Sequence, residues 1–314
     1  MRDLQLKPGE PVNTILAQAI AEKCFGIQAS ARELPSERDR NFLLDAADGV
    51  KFVLKIANRS EQREVVEAQN AMLEHLAERV SFCPRVVPSL AGDALSIIDQ
   101  HLVRVLSYLP GKPLATIESQ PAELLFDVGR KLGQLSCALE SFDHEGAHRT
   151  FHWDLAEGSN VLRTHGAQIK SDWLRELVVG FAAKCRWDRL RKSVVHGDAN
   201  DYNVLVERNA MVGLIDFGDI VYSYTVADLA IAVAYAVLGK DDPKTAAAPL
   251  IEGYREEFSL DQDELDALWP LVKLRLCMSV CHAARQREQH PENEYLGISQ
   301  SLIEKTLPGL LAED

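Results

Sequence analysis

Two stretches of this chain carry side chains whose types and spacing suit the transfer of a phosphoryl group. The first is Val194-Val195-His196-Gly197-Asp198-Ala199-Asn200-Asp201-Tyr202-Asn203, followed by the apolar run Val204-Leu205-Val206. The second is Gly213-Leu214-Ile215-Asp216-Phe217-Gly218-Asp219, reached after a short turn containing Asn209. Moving a phosphoryl group requires a carboxylate beside the attacking hydroxyl and oxygen ligands for the metal that bridges the phosphates. An Asp and an Asn five positions apart on one loop, then an Asp-Phe-Gly after a β-hairpin, supply these parts in the order a kinase-type site needs. Taken singly, each residue has a plainer reading. Asp198 would be a turn residue after Gly197, Asn203 a cap on the following strand, and Asp216 a helix-entry cap. His196 reads as a structural histidine braced against backbone carbonyls. The joint occurrence, flanked by strands, favours the phosphoryl-transfer chemistry.

His196 through Asn203, together with Asp216-Phe217-Gly218-Asp219, resembles the aminoglycoside phosphotransferase family, relatives of choline kinase and the protein kinases. The resemblance implies an α+β, bilobal, protein-kinase-like fold, with a small β-rich N-terminal lobe, a larger α-helical C-terminal lobe and the nucleotide between them. It implies Asp198 as catalytic base, Asn203 and Asp216 as Mg2+ ligands, and ATP or GTP as co-substrate.

The resemblance extends upstream. Lys55 sits on an apolar strand, Phe52-Val53-Leu54-Lys55-Ile56, where the family has its phosphate-binding lysine. Its partner is expected to be a glutamate on the helix that follows: Glu67, or Glu64 if the helix register differs. Ser36, in Leu34-Pro35-Ser36-Glu37-Arg38-Asp39-Arg40-Asn41-Phe42, lies at the position of the loop that covers the phosphates. That loop lacks the glycines of protein kinases, and either the Ser36 hydroxyl or its backbone amide would serve there; a plain turn is the other reading. Val105-Leu106-Ser107-Tyr108-Leu109-Pro110-Gly111 resembles the hinge, which makes Ser107 and Leu109 backbone contacts to the base. Backbone contacts do not separate ATP from GTP.

Within the family, four segments resemble the hydroxylysine kinases: Leu106 to Pro113, Phe151-His152-Trp153-Asp154-Leu155, His196 to Asn203, and Asp216 to Ser223. Pro291-Glu292-Asn293 fits as well. Hydroxylysine carries two ammonium groups and one carboxylate beside its hydroxyl, so a small cationic substrate is expected. Homoserine, choline, ethanolamine, a sugar or an aminoglycoside are the alternatives. Buried cations need paired carboxylates, and Asp219 and Asp201 lie beside the catalytic stretch. Trp153 and Tyr222 offer an apolar wall or cation–π contacts, with ordinary core aromatics as the competing reading. Arg149 or Arg163 could meet a substrate carboxylate, but a solvated surface arginine is the better reading of each. A nucleotide-binding pseudokinase is disfavoured because Lys55, Asp198, Asn203 and Asp216 are all present.

The elements that must position these residues can be read from periodicity. Residues 13–25 have helical spacing and stop at Gly26. Segments 29–34, 40–46 and 50–57 read as strands, with Asp48-Gly49 as a hairpin signal. Ser60 to Arg79 reads as a helix, then 94–99 and 101–108 as strands. Beyond Leu109-Pro110-Gly111 the pattern turns helical, at 121–142, 171–187, 225–238, 244–258, 262–288 and 293–312. It is interrupted by one strand pair at 203–207 and 211–216. The expected division is therefore a nucleotide-binding lobe over 1–109 and a catalytic and substrate-binding lobe over 110–314.

The totals agree with this picture. A chain of 314 residues suits two lobes better than one core. A formal net charge of −13 argues against a nucleic-acid partner, because such affinity comes from Lys and Arg on phosphates. The 6 cysteines form no C-x-x-C pair and read as reduced thiols of a cytoplasmic enzyme. Cys277, Cys281 and His282 lie about a helical turn apart, but packing is favoured over a metal site because no fourth ligand is evident. No signal peptide or membrane-spanning stretch is expected.

Overall fold

The computed structural model describes residues 13–36, 39–183, 185, 187–289 and 300–312. Two compact units emerge, one formed by the chain through Pro110 with His144–Gly146, the other by Gly111–Asp143 and the chain from Ala147.

The first unit starts with helix α1 (Thr14–Phe25), capped by the Asn13 side chain and closed by Gly26 in the left-handed region at φ 70°. Strands β1 (Ala29–Leu34), β2 (Arg40–Ala46) and β3 (Lys51–Ile56) follow as an antiparallel run. The turn between β2 and β3 is the one its sequence announces. Gly49 takes φ 83°, and the Asp48 carboxylate accepts from the Val50 amide at 3.0 Å. Helix α2 (Arg63–Ala77) comes next, then β4 (Val86–Val87), β5 (Ser96–Ile98) and β6 (His101–Ser107). The sheet runs β1-β2-β3-β6-β4, with β5 also paired to β6. Its apolar face (Phe42, Leu44, Leu54, Ile56, Val103 and Val105) packs with Ala17, Ile20 and Ala21 of α1 into one buried cluster. Of the 94–99 segment only Ser96–Ile98 pairs as a strand, because Asp99 and Gln100 turn with positive φ to return the chain into β6.

The second unit opens with β7 (Lys112–Pro113) and helix α3 (Ala122–Leu139). It continues through α4 (Gly158–His165), α5 (Asp172–Ala182), β8 (Lys192–Val195), β9 (Val204–Glu207), β10 (Ala210–Leu214) and β11 (Val221–Tyr224). Helices α6 (Ala227–Ala236), α7 (Pro243–Glu257), α8 (Gln262–Gln289) and α9 (Gln300–Ala312) complete it. Residues 293–299 of the helix read at 293–312, and Pro291-Glu292-Asn293, lie outside the described residues. Strands β10-β9-β7 form one small sheet and β11-β8 another. The loops of the candidate site run from one sheet to the other, 196–203 linking β8 to β9 and 215–220 linking β10 to β11.

Helices α3 and α7 approach so closely that their contact tolerates only glycine. A Cβ at Gly129 would stand 1.9 Å from the Leu250 carbonyl oxygen, and one at Gly253 would stand 2.0 Å from that of Phe126. Helix α8 is sheathed by its neighbours, with Leu271, Val272, Leu274, Leu276, Cys277 and Met278 all fully buried. Among the described residues no helix is long and apolar enough to cross a membrane.

Candidate active site

The loop from β8 to β9 is built around a buried carboxylate. Asp228, in the first turn of α6, accepts from the backbone amides of His196 at 2.9 Å and Gly197 at 2.8 Å. Burial pushes its carboxyl up, while the two amides and His196 pull the other way. His196 itself is fully buried, as a bracing histidine should be. One ring nitrogen meets the Ile215 carbonyl at 3.1 Å, the other accepts from the Asp198 amide at 3.2 Å, and the ring packs edge-on against Phe217. Gly197 adopts φ 79°, and a Cβ there would lie 2.4 Å from the Asp219 carbonyl oxygen. Any other residue would push the two loops apart.

Asp198 is held at both oxygens. Oδ2 accepts from Asn200 Nδ2 at 2.9 Å and Asn203 Nδ2 at 2.8 Å, and Oδ1 accepts from Arg275 Nη2 at 2.5 Å. The Asn200 side-chain oxygen in turn accepts from the Tyr202 and Asn203 amides, which folds the loop into a compact turn. The Asn203 amide nitrogen also donates to the Asp198 carbonyl at 2.8 Å, so its carboxamide oxygen is the end suited to ligate a cation.

The second loop is tied to the first, since the Ile215 amide donates to the Asn203 carbonyl at 3.0 Å. That bond places Asp216 directly after the joint. Asp216 is exposed and sits in the left-handed region at φ 63°, an uncommon conformation for a residue with a Cβ. Asp219, three residues on, is buried. Arg149 fastens the segment from the side, donating to the carbonyls of Gly218 at 2.9 Å and Ile220 at 3.2 Å. Its partly buried guanidinium thus acts as a structural clasp. Arg163 bonds Ser159 one turn back on α4.

Asp201 keeps one buried carboxylate oxygen, Oδ1, without a hydrogen-bond partner. Burial, followed by the charge of Asp198, pushes its carboxyl up to about 6 against the pull of two backbone amides. Trp153 is brought to the same place through Arg275, whose guanidinium lies 4.5 Å from the indole. Tyr222 has different company. It lies on β11, partly exposed, stacked on His148 at 4.4 Å.

In the first unit, Lys55 is buried at 8% exposure and sits opposite Arg104 in the β3–β6 register. Both line one cavity with Asp39, Glu61 and Gln69. Arg104 is clamped by α2, donating to Asn70 at 2.7 Å and to Gln69. Glu67, expected to orient Lys55, instead takes the Arg63 guanidinium at 2.7 Å on the outer side of α2. Glu64 is exposed. The acids beside Lys55 in the cavity are Asp39 and Glu61, because the α2 residues that turn inward are Val65, Val66, Ala68, Gln69 and Asn70. Ser36 is exposed after β1. Ser107 pairs with Arg85 through backbone and hydroxyl, each at 2.8 Å, and Leu109 is half-buried just beyond β6.

Arg275, Asp228 and Arg104 were not singled out from sequence. Arg275 did leave a trace, as a charge inside the apolar run Leu271 to Val280, and so did Asp228, an acid inside the apolar α6. Among the described residues, no group of three or more His, Cys, Asp or Glu side chains is placed to hold a metal. Cys277 and Cys281 are buried and their thiols are pushed up by burial, as packing residues are.

Comparison with known proteins completes the picture. Residues 30–268 match the model of the APH phosphotransferase enzyme family. The chain belongs to that family. It is 30% identical to hydroxylysine kinase of Danio rerio, covering 89% of this chain and 86% of that protein. It is 31% identical to hydroxylysine kinase of Mus musculus, covering 90% and 85%. Homoserine kinase of Sinorhizobium medicae is 27% identical, with 74% and 71% covered. Among solved structures, an amicoumacin kinase in complex with AMP-PNP, Ca2+ and Ami superposes with TM-score 0.73 at 14% identity, covering 96% of this chain and 94% of that one. A microcompartment-associated aminopropanol kinase gives 0.69 at 17% identity, with 96% of each covered. This phosphotransferase therefore has the protein-kinase-like fold of these neighbours, with an antiparallel sheet in its first unit and a mostly helical second unit. It acts on a small molecule carrying a hydroxyl acceptor.

Proposed function

We propose that this enzyme transfers the γ-phosphate of ATP or GTP to the hydroxyl of a hydroxylated amino acid or amine, with hydroxylysine as the favoured acceptor. The observation that carries the reading is the fixing of Asp198 at both oxygens. Such a carboxylate needs no reorganisation to accept a hydroxyl proton, and a prealigned base with its acceptor is what in-line transfer requires. The curated relatives support hydroxylysine over homoserine by identity and coverage.

In this reading Asp198 orients the acceptor hydroxyl and takes its proton as the phosphoryl group arrives. Asn203 and Asp216 fit Mg2+, since both offer hard oxygen donors and a triphosphate supplies the remaining ligands. When bound, the metal neutralises charge on the β- and γ-phosphates. Lys55 steadies the α- and β-phosphates, Ser36 closes over them, and the backbone at Ser107 and Leu109 receives the base. Glu67, expected to orient Lys55, keeps its helix pair with Arg63 in this arrangement. An acceptor ammonium is met by Asp201, whose Oδ1 is buried and unbonded, with buried Asp219 as a second carboxylate, Trp153 at Arg275 as an apolar wall, and Tyr222, stacked on His148, as a second candidate wall. A formal charge of −13 suits a cationic small molecule better than a nucleic acid, and the unpaired thiols suit the cytoplasm.

The experiment is steady-state release of ADP and GDP with Mg2+ against hydroxylysine, homoserine, choline, ethanolamine and an aminoglycoside. Turnover with hydroxylysine well above the others is expected. Turnover of another acceptor with hydroxylysine inert would move the assignment to that compound.

A further inference from the structure

Arg275 has more hydrogen-bonding capacity than its surroundings use. It projects from the middle of α8, its side chain is 3% exposed, and its ion-pair partner is Asp198 through Nη2. Its Nε and Nη1 are buried without a hydrogen-bond partner. A guanidinium has five N–H donors in a rigid plane, and burying them unmet is costly. The Trp153 ring lies 4.5 Å from it and the Tyr235 ring 5.8 Å, and the Tyr235 hydroxyl is a further hydrogen-bond partner of the guanidinium, which still leaves Nε and Nη1 unmet. Both aromatic residues are partly buried. The buried Oδ1 of Asp201 is unmet as well. Two unmet guanidinium nitrogens and one unmet carboxylate oxygen thus accompany the same residue, Asp198, which acts electrostatically on both side chains. That pairing is complementary to a zwitterion.

We propose that Arg275 is the carboxylate receptor of the acceptor site, so that the enzyme selects hydroxylated amino acids over amino alcohols and sugars. The inference rests on the acceptor reading above and narrows it. The planar fork of arginine matches a carboxylate in a way a lysine ammonium does not. An incoming carboxylate meets the donors that Asp198 leaves unused, while the acceptor ammonium goes to Asp201. Arg149 and Arg163 are already engaged elsewhere.

The test uses the whole chain and two matched pairs. Hydroxylysine and homoserine are each compared with the decarboxylated counterpart, which keeps the hydroxyl and amines and lacks only the carboxylate. Affinity is read by calorimetry with Mg2+ and AMP-PNP present, and kcat/KM with ATP, for the native chain, Arg275→Lys and Arg275→Gln. The native chain is expected to prefer the amino acid in at least one pair by roughly tenfold to a hundredfold, the range of a charge-assisted hydrogen bond, and to show it in KM. Arg275→Gln should bring the ratio to about one, with Arg275→Lys between. Losing the brace on Asp198 lowers kcat for both members of a pair alike, so the ratio isolates the carboxylate contact. Equal affinity of the native chain for both members of each pair overturns the proposal without any variant. So does a preference that survives in Arg275→Gln, or the absence of binding by every compound. A calorimetric preference without turnover of any acceptor upholds the receptor and removes the acceptor reading instead.

Discussion

The Asp198 loop and the Lys55 cavity place charges by different means. In the second unit the loop is fastened to its own neighbourhood. Asp228 takes two consecutive amides, His196 reaches the Ile215 carbonyl, and Asn200 and Asn203 hold Asp198 from within the same turn. In the first unit the two cations Lys55 and Arg104 meet only because β3 and β6 pair in one register, and α2 adds Gln69 and Asn70 from a third element. Local fastening fixes atoms within a few residues of sequence. Cross-strand assembly depends on register and helix rotation, where a single step moves a side chain to another face.

The sharpest break in the comparison should come at Asp216. Asp216→Ala is expected to lower kcat/KM on the order of a thousandfold, roughly 4 kcal/mol, because the proposed assignment makes Asp216 a metal ligand. Calorimetry should show weaker Mg-nucleotide binding in the same variant, and unchanged affinity would argue against the ligand assignment. Next in size is the clamp under the loop. Asp228→Ala should cost about 3 kcal/mol in urea unfolding, since two buried amides lose their acceptor. Asp228→Asn, which keeps one oxygen, should cost less.

His282 sharpens the picture by pH. Burial lowers its pKa from 6.5 to about 3, with Arg275, His152 and His165 pushing the same way and a bond to the His152 carbonyl opposing. The folded ring stays neutral where the unfolded one takes a proton, so its contribution is complete above 6.5 and drains away as pH falls toward about 3. Between pH 8 and pH 5 the loss attributable to His282 should be about 2 kcal/mol. Unfolding curves of the native chain and His282→Gln at both pH values isolate it; equal pH dependence in the two would contradict a neutral buried ring. The smallest effect is expected on the outside of α2. Arg63→Ala removes an exposed, solvent-screened i,i+4 pair with Glu67 and should leave the unfolding midpoint nearly unchanged in the same assay.

What could be read from sequence follows the same division. The loop from His196 to Asn203 and the turn at Asp48-Gly49 are short-range features, and the His196 ring meets the Ile215 carbonyl and the Asp198 amide. The kinase-like fold was legible through the family resemblance of the His196 and Asp216 stretches, while local periodicity showed only a strand-rich stretch before Leu109 and a mostly helical one after it. Glu67 was a different case. Residues 64 and 67 share a helix face, and rotation of α2 turns Gln69 and Asn70 inward and leaves Glu67 to Arg63. Arg275 was hidden for a related reason. It lies 77 residues from Asp198, and nothing in an apolar helical run says which distant carboxylate a lone arginine meets. Helix α4 escaped notice because eight residues beginning Gly158-Ser159-Asn160 read as a loop.

The measurement that bears most directly on the account is turnover of hydroxylysine by Asp198→Asn, paired with its affinity for Mg2+ and AMP-PNP. This substitution keeps the shape of the side chain and removes the basic oxygen. The account predicts a fall in kcat of roughly a hundredfold to ten-thousandfold, the share of a general base, with nucleotide affinity nearly unchanged. Near-native turnover in that variant would contradict the assignment of Asp198, and with it the mechanism built on its fixed position.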